Sequence, residues 1–223
     1  MKRIISILLC VSLFFVLAAC GKTEQKQELN EESSAVTNIS HNLGNAAVTT
    51  ILAPAFVYDH PAGSNEVMES SSFIWEDVTR KPDGGYSLRG IWRVSEEKSY
   101  PIRYLYYANG MAYLTQYKDF EGNVATSYFG DYVSADACYN GSLGAVRMED
   151  DTVYMYDGTS VVYEMGENGL AKSFTTVNAE GNVIEKQVLN DSGFPVEVHL
   201  YDENGVETHW NECTYEEVPV PQK

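Results

Sequence analysis

Glycine returns every 12 residues in the C-terminal third of this chain. Gly169, Gly181, Gly193 and Gly205 each close a turn: Glu167-Asn168-Gly169, Ala179-Glu180-Gly181, Asp191-Ser192-Gly193 and Glu203-Asn204-Gly205. Gly110 and Gly122 show the same interval earlier. A three-residue hairpin loop is a type I turn followed by a left-handed residue, and glycine tolerates that last position best because it has no Cβ. Strand plus loop fill the 12-residue interval. The pattern therefore predicts a β-meander, each strand antiparallel to the one before.

Three-residue loops also predict a register. They pair Val177 with Val183, Leu189 with Pro195, and Asp202 with Val206. Carried along the strands, this register collects Val162, Phe174, Thr176, Ile184, Val188, Val196, Val198, Leu200, Val206 and Trp210 on one face. The other receives Thr175, Glu185, Gln187, Glu197, His199, Tyr201, Glu207, His209 and Asn211, with Lys186 an exception on the first face and Val183 and Leu189 exceptions on the second. Strand side chains alternate with period two, so a slip of one residue exchanges the faces. The expectation is one dry face and one wet face.

Further turns extend the pattern upstream. A hairpin runs from Phe73 to Val94 through Lys81-Pro82-Asp83-Gly84-Gly85. Another joins 102–108 to 111–117 through Asn109-Gly110, a dipeptide suited to the positive φ that tight hairpins need. Asp157-Gly158 reads the same way. Residues 46–52 read as a short helix or a strand, and Pro54 and Pro61 as irregular chain after it. Segment 134–150 has no clear period and is expected to cover part of the sheet. The fold class is all-β: a large twisted antiparallel meander of about 11–12 strands, or its curved half-barrel form.

The N-terminus has a different character. Lys2 and Arg3 precede an apolar run from Ile4 to Leu17, which ends in Leu17-Ala18-Ala19-Cys20-Gly21. The run is short for a spanning helix, which needs about 20 apolar residues, and it has the flanks of a signal peptide. The motif resembles the lipobox of bacterial lipoproteins. That resemblance covers the first 21 residues and implies cleavage before Cys20 and palmitate-type acylation of it. It implies a cell-membrane or outer-membrane protein held by lipid on the extracytoplasmic side. Residues 21–45, rich in Glu, Gln, Asn and Ser, read as a flexible tether. The division is 1–19 signal, 20–45 lipidated cysteine and tether, and 46–223 a single all-β domain.

Composition bounds the partners. The 223 residues carry 15 Lys+Arg against 32 Asp+Glu, a net charge of -17. Phosphate backbones are bound by Lys/Arg surfaces, so nucleic acid is not expected as a partner. Beyond the membrane, the partner classes left open are a protein, a glycan or an apolar small molecule. Cys138 and Cys213 remain after processing, in a compartment that favours disulfides. A bridge between them and a pair of buried free thiols are both open readings.

The chemistry-bearing motifs are few. The predicted register sets His199 opposite His209 with Glu197 and Glu207 beside them, a donor set suited to a divalent metal; a plain wet face is the competing reading. Tyr104, Tyr106, Tyr113 and Tyr117 lie in a stretch holding eight of the 16 tyrosines, and read as a stacking surface or as core. Ser95-Glu96-Glu97-Lys98 matches a Ser-x-x-Lys pattern but lacks its companion motifs and reads as a polar turn. No catalytic residues and no cofactor are expected.

Two further resemblances stand on the same residues. Turns such as Tyr201-Asp202-Glu203-Asn204-Gly205 resemble YD-type repeats of bacterial surface proteins. The layout resembles the LolA-like half-barrel carriers of the envelope, which implies a curved sheet over an apolar cavity. The sequence is read as a non-catalytic binding or interaction lipoprotein. A carrier of a lipid or other apolar ligand is the first alternative, and an unrecognised envelope enzyme the second.

Overall fold

The protein is described by a computed structural model over residues 48–118, 123–128, 133–142 and 144–222. The expected signal segment, Cys20, the expected tether and the expected Gly122 turn lie outside the described residues. The strands are β1 (Thr50–Pro61), β2 (Glu69–Arg80), β3 (Tyr86–Arg93), β4 (Ser99–Tyr106), β5 (Ala112–Lys118) and β6 (Val124–Tyr128). Then follow helix α1 (Ala135–Gly141), β7 (Ala145–Glu149), β8 (Thr152–Met155), β9 (Ser160–Met165), β10 (Ala171–Val177), β11 (Val183–Leu189), β12 (Pro195–Tyr201) and β13 (Glu207–Pro219).

All 13 strands form one antiparallel sheet, in the order β6-β5-β4-β3-β2-β1-β13-β12-β11-β10-β9-β8-β7. Two meanders, β1–β6 and β7–β13, are joined by pairing the first strand with the last. The N-terminal element is thus a strand, and β1 continues through Pro54, where the register shifts, as far as Pro61. Proline is tolerated there because a bulge already interrupts the ladder.

Chain connectivity requires this sheet to curl. In a flat sheet β6 would lie about 43 Å from β10, at roughly 4.8 Å per strand. Yet Tyr128 at the end of β6 is followed five residues later by Val133, whose carbonyl accepts a hydrogen bond from Ala171 N at the start of β10 (2.8 Å). Five residues span at most about 18 Å. The sheet is curled and unclosed, with β6 and β7 as its two edges.

The turns fall where the glycines predict them. Gly110, Gly158, Gly169, Gly181, Gly193 and Gly205 all have positive φ, between 77° and 89°. The face assignment is different. After each loop the returning strand carries one extra residue. Val177 pairs with Val183, but Thr176 pairs with Glu185, leaving Ile184 over. Leu189 pairs with Pro195 and Val188 with Glu197, leaving Val196. Tyr201 pairs with Glu207 and Leu200 with His209, leaving Thr208. Tyr106 pairs with Ala112 and Leu105 with Leu114, leaving Tyr113. A bulge inverts the parity of everything beyond it. The inner face therefore gathers Val161, Tyr163, Phe174, Thr176, Glu185, Gln187, Val198, Leu200, His209, Asn211 and Cys213. Val162, Ile184, Val188, Glu197, His199 and Trp210 face outward, and Val206 is 61% exposed.

The inner face holds two apolar clusters. The first is aromatic and includes Phe73, Tyr86, Trp92, Tyr104, Tyr106, Tyr117 and Phe194. The second is smaller in side-chain volume: Val153, Met155, Val161, Tyr163, Ala171, Phe174 and Leu189, covered by Ala135 and Cys138 of α1. The covering segment expected over 134–150 is thus α1 alone, because 145–149 is edge strand β7. Ser134 caps α1 by accepting from Ala137 N (3.2 Å), and Asp136 lies in its first turn, where a negative charge favours the helix N-terminus.

Candidate functional site

Three of the four tyrosines of the predicted surface are core. Tyr104, Tyr106 and Tyr117 are buried, and burial raises the phenol pKa values of Tyr104 and Tyr106. The Tyr106 hydroxyl donates to Leu52 O (2.8 Å), which ties β4 to β1. Tyr113, displaced by the bulge, faces outward. It stacks on Tyr107 (4.4 Å) and accepts from Lys81 Nζ at 2.8 Å. Bulge and curl together convert a predicted stripe into packing.

Cys138 and Cys213 form no disulfide with each other. Cys138 is buried under α1 in the second cluster, and Cys213 packs against the first. They fall in different clusters because β13 and β7–β9 are separated by β10–β12 in the sheet.

The four residues of the predicted metal set divide between the faces. His199 pairs with Trp210, and His209 with Leu200, so the two imidazoles point to opposite sides of the sheet. His199 keeps both glutamates: Nδ1 lies 2.5 Å from Glu207 Oε1 and Nε2 3.2 Å from Glu197 Oε2. Its ring stacks on Trp210 (5.6 Å), and the other side of that indole stacks on His60 (4.1 Å). Among the described residues, no group of three or more His, Cys, Asp and Glu side chains is placed to hold a metal ion.

His209 belongs instead to a polar seam between the two clusters on the inner face. Asn211 Nδ2 donates to Asp59 Oδ1 (3.3 Å), and Gln187 Nε2 donates to Glu185 Oε1. Burial raises the Asp59 pKa above its ordinary value and pushes Glu185 up to about 7. Burial lowers the His209 pKa, against the pull of Asp59. Ser71 Oγ, Asn211 Oδ1, Gln187 Oε1 and His209 Nε2 have no protein hydrogen-bond partner.

The outer face of β2–β6 carries an open groove. It encloses about 410 Å³ and is lined by Glu76, Asp77, Arg89, Arg103, Gln116 and Val124, with Gly90, Pro101, Ile102 and Tyr117 at its floor and sides. The register builds it. Asp77 pairs with Arg89, Arg89 with Arg103, and Arg103 with Gln116, giving a polar row across four strands. A bulge between Trp75 and Asp77 and the glycine at 90 allow the crowding beneath it. A Cβ on Gly90 would come 2.3 Å from Ile74 O and 2.7 Å from the Trp75 ring. Arg89 Nη2 donates to Asp77 Oδ2 (2.8 Å), and that bond holds the Asp77 pKa below its ordinary value. Arg103 Nε donates to Ser87 Oγ (2.8 Å).

Sequence reasoning missed this groove. Its signal was present: four of the six arginines, Arg80, Arg89, Arg93 and Arg103, fall within 24 residues of a strongly acidic chain.

Comparison with known proteins adds a likeness in shape. No protein-family model matches the chain, and no curated protein matches it in sequence. Among solved structures, it is similar to a crystal structure of a Vibrio parahaemolyticus domain described as that of a candidate outer membrane lipoprotein-sorting protein. The match covers 78% of this chain and 88% of the other, with a TM-score of 0.40 and 6% identity. Among the described residues, no helix is long and apolar enough to cross a membrane.

Proposed function

We propose that this protein is a lipoprotein, anchored through acylated Cys20 on the extracytoplasmic side of a membrane, that binds a partner without catalysis. The anchor rests on the positive n-region, the apolar run and the Leu17-Ala18-Ala19-Cys20 motif. Two or three acyl chains hold a protein stably, because each buried CH₂ contributes about 0.8 kcal/mol.

One observation carries the binding role. The apolar inner face is filled by the chain's own side chains: Trp92, Tyr106 and Phe194 are at most 2% exposed. Recognition then falls to the outer groove, whose polar lining is fixed by strand register. The experiment is metabolic labelling with a palmitate analogue in a host that processes lipoproteins. Label on the wild type and none on Cys20→Ser, with the variant released from the membrane, is the expected result. Unlabelled wild type overturns the anchor.

The carrier reading has its own observation, the curl of the sheet. An apolar ligand would enter by displacing aromatic side chains of the first cluster. Native mass spectrometry of the gently purified protein separates the two: a stoichiometric co-purifying lipid selects the carrier, and a bare protein mass selects the groove.

A further inference from the structure

We propose that the Arg89–Arg103 pair in the outer groove binds a phosphate-type oxyanion. The inference deepens the groove-binding reading above, and it is independent of the lipid anchor.

Three observations converge. First, Arg89 and Arg103 are direct cross-strand partners on the same face. Such partners have Cβ atoms about 4.5–5.5 Å apart, and like charges placed there repel. The chain has an excess of 17 negative charges, yet it sets two cations side by side. Second, neutralisation within the protein is one-sided. Asp77 takes Arg89 at 2.8 Å, whereas Arg103 contacts only the neutral Ser87 hydroxyl among the described residues, through Nε. Anchoring at Nε turns the guanidinium without occupying its terminal nitrogens. Third, the pair opens onto space. The groove of about 410 Å³ leaves room for a ligand beside Arg103, and Gln116, the next residue in the row, adds an amide donor.

The chemistry selects the class of anion. A carboxylate offers two oxygens and suits a single guanidinium; Asp77 already accepts one hydrogen bond from Arg89 through Oδ2. A phosphate group presents three oxygens and can accept from both guanidiniums at once. Glu76 and Asp77 close the β2 end of the groove, so the anion is confined to the gap between Arg89 and Arg103. Pro101 and Val124, the latter 64% exposed, offer apolar contact to whatever carries the phosphate. A free phosphorylated molecule and a lipid headgroup share this chemistry.

The test uses the purified full-length protein in detergent, with the arginine side-chain N–H signals followed by NMR. Inorganic phosphate is titrated against chloride at matched ionic strength. Saturable shifts of the Arg89 and Arg103 signals are expected. Arg103→Gln should weaken binding about tenfold, and Arg103→Lys should recover only part of it, because an ammonium lacks the fork. Asp77→Asn should tighten binding, since it frees Arg89. A second arm measures binding to phosphatidylglycerol vesicles. Arg103-dependent vesicle binding assigns the phosphate to a headgroup, and phosphate binding without it assigns a soluble ligand; both support the site. No saturable phosphate shift, or a shift unchanged in Arg103→Gln, overturns it. Binding of some other ligand to the groove would then leave the broader binding role standing.

Discussion

The two meanders meet at β1 and β13, but they are built from different materials. Residues 69–118 carry seven Lys and Arg against six Asp and Glu, whereas residues 145–219 carry three against 16. The first half packs large aromatic rings: Trp92 lies near Phe73, Tyr100 and Tyr117, with centroids 6.0 to 6.3 Å apart. The second packs Val, Met, Ala and Leu around a single ring pair, Tyr163 and Phe174, under a short helix. Large rings fill the inside of a curl with few side chains, which leaves the outer face of that half free to carry a defined polar row. Small side chains fill less, and there the helix supplies the missing cover. The groove proposed for recognition lies in the first half.

The contrast can be broken by core truncation. Trp92→Ala should lose about 3–5 kcal/mol, and Met155→Ala, in the second cluster, should stay near the low end of about 2–5 kcal/mol. Urea unfolding measures both. Equal losses would mean that ring packing gives the first half no advantage.

The next effect depends on pH. Buried Glu185, with its pKa raised to about 7, binds its proton more tightly folded than unfolded. Its contribution to stability is full below its unfolded pKa of about 4.5 and is lost as pH rises through about 7. Glu185→Gln removes that loss. The variant should match wild type near pH 4 and exceed it above pH 7 by about 3 kcal/mol. His209 titrates in the opposite sense, since its lowered pKa makes stability fall as pH drops through its unfolded value. The informative quantity is therefore the difference between variant and wild type across pH. A flat difference would remove the buried proton from the second half.

Turns give a smaller contrast. Gly181→Ala forces a side chain into positive φ with nothing within 4 Å, and should cost about 1–2 kcal/mol by thermal unfolding. Gly110→Ala adds a contact at 3.3 Å to Val48 Cγ1 and should cost more. Equal costs would mean that Val48 yields freely. Smallest is Arg147→Ala on edge strand β7, where the guanidinium lies 3.7 Å from the Tyr154 ring centroid. Loss of that exposed contact should cost about 0.5–1 kcal/mol.

Turn chemistry is local, and it was legible. Each predicted glycine turn among the described residues is present, and so is the strand-rich order between them. Facing was not legible beyond the first pair of each hairpin. The bulge residues Ile184, Val196 and Thr208 carry no composition that marks them, being β-branched residues of the kind ordinary in strands. One uncounted residue per hairpin placed Glu185, Gln187 and Asn211 on the wrong face and set His199 opposite His209. Burying those polar side chains is costly by composition alone, so hydrophobic sorting pointed away from the true register. The groove needed register across four strands, and hence three turns read together. It emerges only when Arg89 and Arg103 are placed side by side.

The pairing of β1 with β13 has a consequence for biogenesis. Thr50 lies against Pro219, so the first strand to leave a ribosome or translocon waits for nearly the whole chain before its partner exists. Contacts this distant in sequence slow folding. The hairpins of each meander can close in passing, but the seam closes last. A chain stopped short of β13 would expose a long unpaired edge next to its own N-terminus, the kind of edge that quality control and aggregation both recognise.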